Sequence, residues 1–358
     1  YWTAASGYVG TTRIRPLEEE QILCLGEMFN AWRIGYFINI GGNGTIKQSM
    51  AVAEVLGSRI RIASVAKTVD NDLGDELFDD VLYTPGYPSC ANYWRNKVWM
   101  MNQENLGACE HDKAIIAQTF GRKTGFLAGC GRLADPDRRL PLLILCPEDQ
   151  QPVEKVIGAI DNTVSRFGRA MVVMSEGYEV GDLGERYDLS GQVMYGTSRT
   201  TAAQILVNLC ADAGIQARAF IPGFDQRSEI HFVDGRDLQR AYQVGQFTVE
   251  QLTAGITGFL GSIARSPRGP EEVEYRAIPF DEIGDYSRVM PSGWLLTGEY
   301  DVSDAYVQYA EPLLESEAVT LPRLGGKLIF AIRPSLFASA DSNDSKDRIE
   351  ICPVGVNG

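Results

Sequence analysis

Histidine is nearly absent from this chain, with two among 358 residues. So few imidazoles argue against a histidine-rich metal site and against a His-centred triad. The seven cysteines, at 24, 90, 109, 130, 146, 210 and 352, are odd in number and form no C-x-x-C pair. Neither a disulfide framework nor a zinc ribbon is indicated, and the plain reading is reduced, mostly buried thiols in a cytoplasmic protein. Basic charge is short as well. The 33 Lys+Arg face 47 Asp+Glu, a formal net charge of -14, which argues against nucleic acid or an anionic membrane as partner. No apolar run approaches the roughly 20 residues needed to span a bilayer.

What is present is an ordinary globular composition, 44% hydrophobic and 22% charged. Wholesale disorder is excluded, and the length allows one large or two medium domains. The chain begins at Tyr1 with neither Met nor a leader pattern, which reads as a fragment or a missing N-terminal part.

The recurring unit is a short apolar strand, a polar or glycine-rich turn and an amphipathic helix. Strands are expected at 36–40, 59–65, 113–117, 142–145, 170–174 and 218–221. Helices are expected from the turn after residue 40 to about 56, at 153–167, and at about 238–252. Continuous apolar strands alternating with helices indicate α/β architecture with parallel sheets covered on both faces. Ligands of such sheets bind beyond the carboxyl ends of the strands. The polar clusters of this chain fall at those ends. The tail from about 322 shows no clear periodicity, and 341–347 reads as an exposed loop.

Three clusters could carry chemistry. The run Gly41-Gly42-Asn43-Gly44-Thr45 lets backbone N–H groups approach a phosphate at a helix start, although such a turn is as often purely structural. Lys67-Thr68-Val69-Asp70-Asn71-Asp72 sets two carboxylates in one turn, able to hold Mg²⁺ or act as base, with a lysine for phosphate; a solvated Asx-rich turn is the plainer alternative. Gly121-Arg122-Lys123-Thr124-Gly125 puts two cations at an expected helix start, which suggests an anionic ligand or else a surface pair. Glu176 and Arg227 each follow a strand and are unremarkable singly. His111 and His231 read as structural or exposed, and Tyr87, Tyr93, Trp94 and Trp99 as packing residues.

Taken in order, with 7–13, 120–125, 175–177 and 222–227, these clusters resemble the phosphofructokinase family of phosphoryl-transfer enzymes across roughly residues 5–300. The stretch 228–258, with Met290-Pro291 and 300–305, looks like its long, pyrophosphate-using branch. The resemblance implies two doubly wound Rossmann-like lobes with the active site in the cleft between them. A donor-binding lobe is then expected at 1–82 plus 235–300, lacking the family's first strand. A sugar-phosphate lobe would span 83–234, and 301–358 would be a C-terminal extension.

The implied activity is Mg²⁺-dependent transfer of a phosphoryl group from ATP or pyrophosphate to the 1-hydroxyl of fructose 6-phosphate. Asp70 would be the base and a metal ligand, with Thr68, Asp72 and Lys67 around it. Lys113, Phe120, Gly121, Arg122, Glu176 and Arg227 would meet the sugar phosphate, with Lys113 reaching across a subunit interface in a homodimer or homotetramer. Arg13, Gly42, Asn43, Gly44 and Thr45 would face the donor. Asn43 stands where the family usually has a metal-binding Asp, so it coordinates without charge. Gly44 leaves room for a nucleotide and favours ATP, whereas Lys67 resembles the pyrophosphate users. A weakly active regulatory subunit, or a kinase for another phosphosugar such as sedoheptulose 7-phosphate, is the alternative reading.

Overall fold

The computed structural model describes residues 17–314, apart from 58, 190, 270 and 285, and two short strands at Arg323–Leu324 and Lys327–Leu328. The segment 7–13 with Arg13, and the loop expected at 341–347, lie outside the described residues. In chain order the principal elements begin with α1 (Glu19–Ala31), β1 (Tyr36–Gly41), α2 (Asn43–Leu56), β2 (Arg61–Ala66) and α3 (Tyr87–Ala108). Next come β3 (Ala114–Thr119), α4 (Phe126–Gly129), β4 (Leu142–Leu145), α5 (Val153–Phe167), β5 (Ala170–Ser175), α6 (Ala202–Asp212) and β6 (Ala217–Phe220). Last come α7 (Gly235–Thr253), β7 (Phe259–Arg265), β8 (Val273–Pro279) and α8 (Asp304–Ala310).

Two four-stranded sheets organise these elements, in orders β1-β2-β7-β8 and β4-β5-β3-β6. The second is wholly parallel, with Ala114 opposite Ala170 and Ala217. Every residue of β3 and β5 is buried, because helices cover both faces of the sheet and no polar face is left to solvent. Local signals set the helix bounds. Pro152 precedes α5, and Gly168 follows it in the left-handed conformation with φ +74, the conformation glycine adopts without a Cβ penalty. At α7 the Asp234 carboxylate accepts the Asp237 N–H at 3.0 Å, satisfying a donor the helix cannot.

The structure departs from the sequence expectations in identifiable places. β7 and β8 join the first sheet, and β8 runs antiparallel to β7, so that sheet is mixed rather than parallel. Neither strand stands out in the sequence, since β7 carries a glycine and a serine inside its apolar run and β8 alternates with charged residues. The 22-residue α3 also escapes periodicity, because it is buried on several sides at once along its first turns, at Tyr87, Cys90, Ala91, Tyr93 and Trp94. Trp99 is no packing residue: it is 47% exposed. Cys90, Cys130, Cys146 and Cys210 are buried free thiols and Cys109 a partly exposed one, whereas Cys24 departs from expectation by being disulfide-bonded. No described helix is long and apolar enough to cross a membrane.

Candidate active site

β1 and β2 are parallel neighbours, so the turns leaving their carboxyl ends lie side by side. Gly41 is required by close approach: a Cβ there would stand 2.2 Å from Thr45 Oγ1. Gly42 caps α2, and the Thr45 N–H returns to its carbonyl at 2.9 Å. The Lys67 N–H donates to the Gly41 carbonyl at 2.9 Å, and Asn43 Nδ2 donates to the Asp72 carbonyl at 3.3 Å. The glycine turn and the acidic loop are therefore one unit. A Cβ on Gly44 would meet nothing within 4 Å, so open space lies beside it.

Within the acidic loop, Thr68 Oγ1 accepts the Asp70 N–H at 3.2 Å, a local side-chain turn of the kind threonine favours. Asp70 and Asp72 are half-buried. Burial, followed by the repulsion of Asp72, pushes the Asp70 carboxyl up to about 6, while Arg122, the Gly121 N–H and Lys67 oppose the rise. Burial likewise raises Asp72, against Arg122 and Arg288. Two carboxylates sharing one partly desolvated site are poised to take up a proton or a cation.

The second sheet brings the complementary charge. After β3 the chain turns sharply through Gly121 at φ +121 and Arg122 at φ +51. This turn points consecutive N–H groups at two acids, Gly121 at Asp70 and Arg122 at Glu176. Arg122 Nε lies 3.6 Å from Asp70 Oδ2, and its Nη1 bonds Gln192 Oε1. Ser175 Oγ, at the end of β5, donates to the Arg122 carbonyl at 2.8 Å. Glu176 is 7% exposed. Burial is the main force pushing its carboxyl to about 8, with Asp70 adding to it and Arg122 and Arg227 opposing. Its carboxyl therefore holds a proton more tightly than an ordinary glutamate does.

Arg227 follows β6 in the next turn, and its guanidinium lies 5.4 Å from the Phe120 ring centre. Gln226 fixes that turn. Its Oε1 accepts both the Phe120 N–H and the Trp94 indole N–H at 2.9 Å, and its Nε2 donates to the Gly223 carbonyl at 3.0 Å.

Of the residues expected at the site, Asp70, Asp72, Gly121, Arg122, Glu176, Phe120 and Arg227 converge on the interval between the sheets. Gly42, Asn43, Gly44, Thr45, Lys67 and Thr68 form its floor on the side of β1 and β2. The helix expected after Gly125 is present but short, passing after Gly129 into a 3-10 turn at Cys130–Ala134. α4 has four residues, too few for a helix-terminus field, so the role of the cations rests on Arg122 alone. Lys113 does not reach the cluster. It precedes β3 whereas Phe120 follows it, about 20 Å apart at the ordinary strand rise. His111 is exposed beside Asp112, and His231 pairs with Glu229.

Sequence reasoning missed Gln192 and Arg288, which reach the site from distant segments, and the roles of Asn71 and Gln226, which lie inside clusters it had marked. Glu148 carried a weak signal, following the apolar strand β4. Its Oε1 accepts the Gly125 N–H at 3.1 Å and the Met290 N–H at 2.9 Å, tying the arginine turn to the segment holding Arg288. An apolar cavity of about 690 Å³ lies between β1, β2 and α7, with Lys67 on its wall; its lining differs from the charged cluster.

Among the described residues no group of three acids, histidines or cysteines could by itself hold a metal. Asp70 and Asp72 nevertheless fit Mg²⁺, which takes one or two protein carboxylates and completes its shell with water and phosphate oxygens.

The Glu176 shift yields a stability prediction. A carboxyl held at about 8 in the fold but ionising near 4.5 when unfolded contributes stability that is full below 4.5 and lost as pH rises toward 8. Glu176→Gln removes that dependence. Thermal unfolding is expected to show the variant matching the parent near pH 4.5 and exceeding its Tm progressively up to pH 8. Parallel curves would mean that Glu176 ionises freely.

Residues 2–252 match the profile of the family described as Phosphofructokinase. A pyrophosphate–fructose 6-phosphate 1-phosphotransferase of Methylococcus capsulatus is 28% identical over 323 residues, covering 87% of this chain and 76% of that protein. A sulfofructose kinase of Alkalicoccus urumqiensis is 24% identical over 302 residues, covering 82% and 75%. Among solved structures, a pyrophosphate-dependent phosphofructokinase from Nitrosospira multiformis superposes with a TM-score of 0.80 at 25% identity, covering 93% of this chain and 79% of that one.

Proposed function

Since this chain belongs to the phosphofructokinase family, we propose that it transfers a phosphoryl group to the 1-hydroxyl of fructose 6-phosphate. One observation carries the reading: Asp70 and Arg122 stand 3.6 Å apart between the sheets, with Glu176 beside them. Phosphoryl transfer asks for positioning and charge neutralisation rather than a covalent partner. This cluster offers a base near neutral pH, a guanidinium for the moving charge and a second cation, Arg227, for the sugar's phosphate.

In this reading Asp70 accepts the hydroxyl proton, with its backbone N–H held by Thr68. Arg122 neutralises charge on the transferring group, and Lys67 does so on the departing phosphate. Glu176, whose carboxyl burial pushes up toward protonation, hydrogen-bonds a sugar hydroxyl. Asp70 and Asp72, with Asn43 near them, would hold Mg²⁺, which when bound would supply electrostatic stabilisation of the phosphate oxygens. Lys113, too far from its own cluster, is assigned to a neighbouring subunit's site, in keeping with an active form that is a homodimer or homotetramer; a cytoplasmic location belongs to the same reading. Arg13 is assigned to the donor side, as are Gly42, Gly44 and Thr45.

ATP is the proposed donor, supported by the open space at Gly44. Pyrophosphate is the second reading, favoured by the names of the relatives. A coupled assay with fructose 6-phosphate, Mg²⁺ and either donor tests both. Turnover with ATP at least tenfold above that with pyrophosphate is expected, the reverse ratio selects pyrophosphate, and no turnover with either sinks the reading. Sedoheptulose 7-phosphate and sulfofructose as acceptors, the latter prompted by the sulfofructose kinase relative, are expected to react more slowly.

A further inference from the structure

Asn71 separates the two acids of the site, and it is fully buried in the left-handed conformation at φ +58. Its side chain is a junction. Oδ1 accepts from the Thr84 N–H at 3.1 Å and from Arg288 Nη2 at 2.7 Å, and Nδ2 donates to Tyr309 Oη at 2.8 Å. Arg288 grips the same residue twice, since its Nε also donates to the Asn71 carbonyl at 2.9 Å. Its own N–H donates to the Asp72 carbonyl at 2.9 Å, and its Nη1 to the Val81 carbonyl at 2.5 Å. The loop carrying the carboxylates is thus held at Asn71 and at Asp72 by one side chain and its backbone.

The guanidinium that does this is 2% exposed and lies 4.0 Å from the Phe78 ring centre. Its three bonded nitrogens are spent on two carbonyls and an amide oxygen. A planar fork reaching a backbone carbonyl and a side-chain amide of the same residue fixes both, which an ammonium cannot do. Asparagine tolerates the left-handed region better than most residues, yet the conformation still needs support from its surroundings. Thr84 Oγ1 donates to the Thr68 carbonyl at 2.7 Å and Tyr309 Oη to the Leu82 carbonyl at 2.9 Å, closing the frame.

We propose that Arg288, acting through Asn71 with Tyr309, is the positioning residue of this site. It holds the loop so that Asp70 and Asp72 present a fixed pair of carboxylates, and it touches no substrate. The kinetic consequence rests on the phosphotransferase reading, but the structural one does not.

The test uses Arg288→Lys, which keeps the charge and loses the fork, and Tyr309→Phe, which removes one hydroxyl. Two measurements are made on each full chain: kcat and KM for fructose 6-phosphate, and amide hydrogen exchange of 67–73 with 114–119 as internal reference. Arg288→Lys is expected to lower kcat about 10²-fold, the scale of a misplaced catalytic group, with KM changed less than about threefold. Tyr309→Phe is expected to act in the same direction by less. In both variants exchange accelerates at 67–73 and stays unchanged at 114–119. Unchanged exchange at 67–73, or acceleration spread equally over 114–119, overturns the proposal. If the parent chain turns over neither donor, the functional reading fails while the exchange measurement still decides the role of Arg288.

Discussion

Asp70→Asn is expected to lower kcat by about 10²–10⁴-fold, the usual worth of a positioned general base, while KM for the sugar phosphate stays within a few-fold. The amide fills the same volume and accepts the Gly121 N–H, so the fold has no reason to change. What is lost is the ability to take a proton. In the parent, the carboxyl held at about 6 by burial and by Asp72 must be ionised to act. Activity is therefore expected to rise with pH through about 6 and level above it. In Asp70→Asn the residual rate follows only the substrate's own phosphate ionisation. Steady-state rates from pH 5 to 8 on both proteins check this, and a variant within tenfold of the parent would falsify the assignment of Asp70 as base.

Gly177→Ala is expected to damage both stability and turnover, although Gly177 carries no functional group. A Cβ there would stand 2.0 Å from the Arg122 carbonyl oxygen, 2.5 Å from its carbonyl carbon and 3.0 Å from the Lys123 nitrogen. All three are backbone atoms, so no rotamer change relieves the contact. The arginine turn must move, and with it the Ser175 hydrogen bond and the two amides aimed at Asp70 and Glu176. Overpacking of this kind destabilises by about 1–3 kcal/mol. A displacement near 1 Å at the reacting groups removes about 10²-fold from kcat/KM. Gly44→Ala is the control for stability, because its Cβ enters open space; its unfolding free energy is expected to stay within about 0.5 kcal/mol. Urea unfolding and kcat/KM measure both, and a Gly177→Ala protein indistinguishable from the parent removes the steric argument.

Much of this architecture could be read one segment at a time. α5 runs from Val153 to Phe167 as the alternation of apolar and polar residues predicts, because one helix face alone meets the sheet and Pro152 and Gly168 punctuate its ends. The glycine turn after β1 and the acidic loop after β2 were legible for a similar reason: turn chemistry is local, and Gly, Asn and Asp announce it. α3 was not legible, because a helix packed on several sides shows no polar stripe. β8 was not legible as an edge strand, since its alternation matters only once β7 offers a partner.

The sequence by itself determined the alternating strand–helix order, the ordered clusters that mark the family and the chemistry available: acids, cations and almost no imidazole. These are carried by residue identity and by spacings shorter than a turn or a strand. Tertiary structure alone decided that Asp70 and Arg122, 52 positions apart, stand 3.6 Å from each other, and that Arg288 grips Asn71 from 217 residues away. It also decided the proton affinities. Burial dominates the shifts of Asp70 and Glu176, and burial belongs to the packed molecule, not to any stretch of its chain.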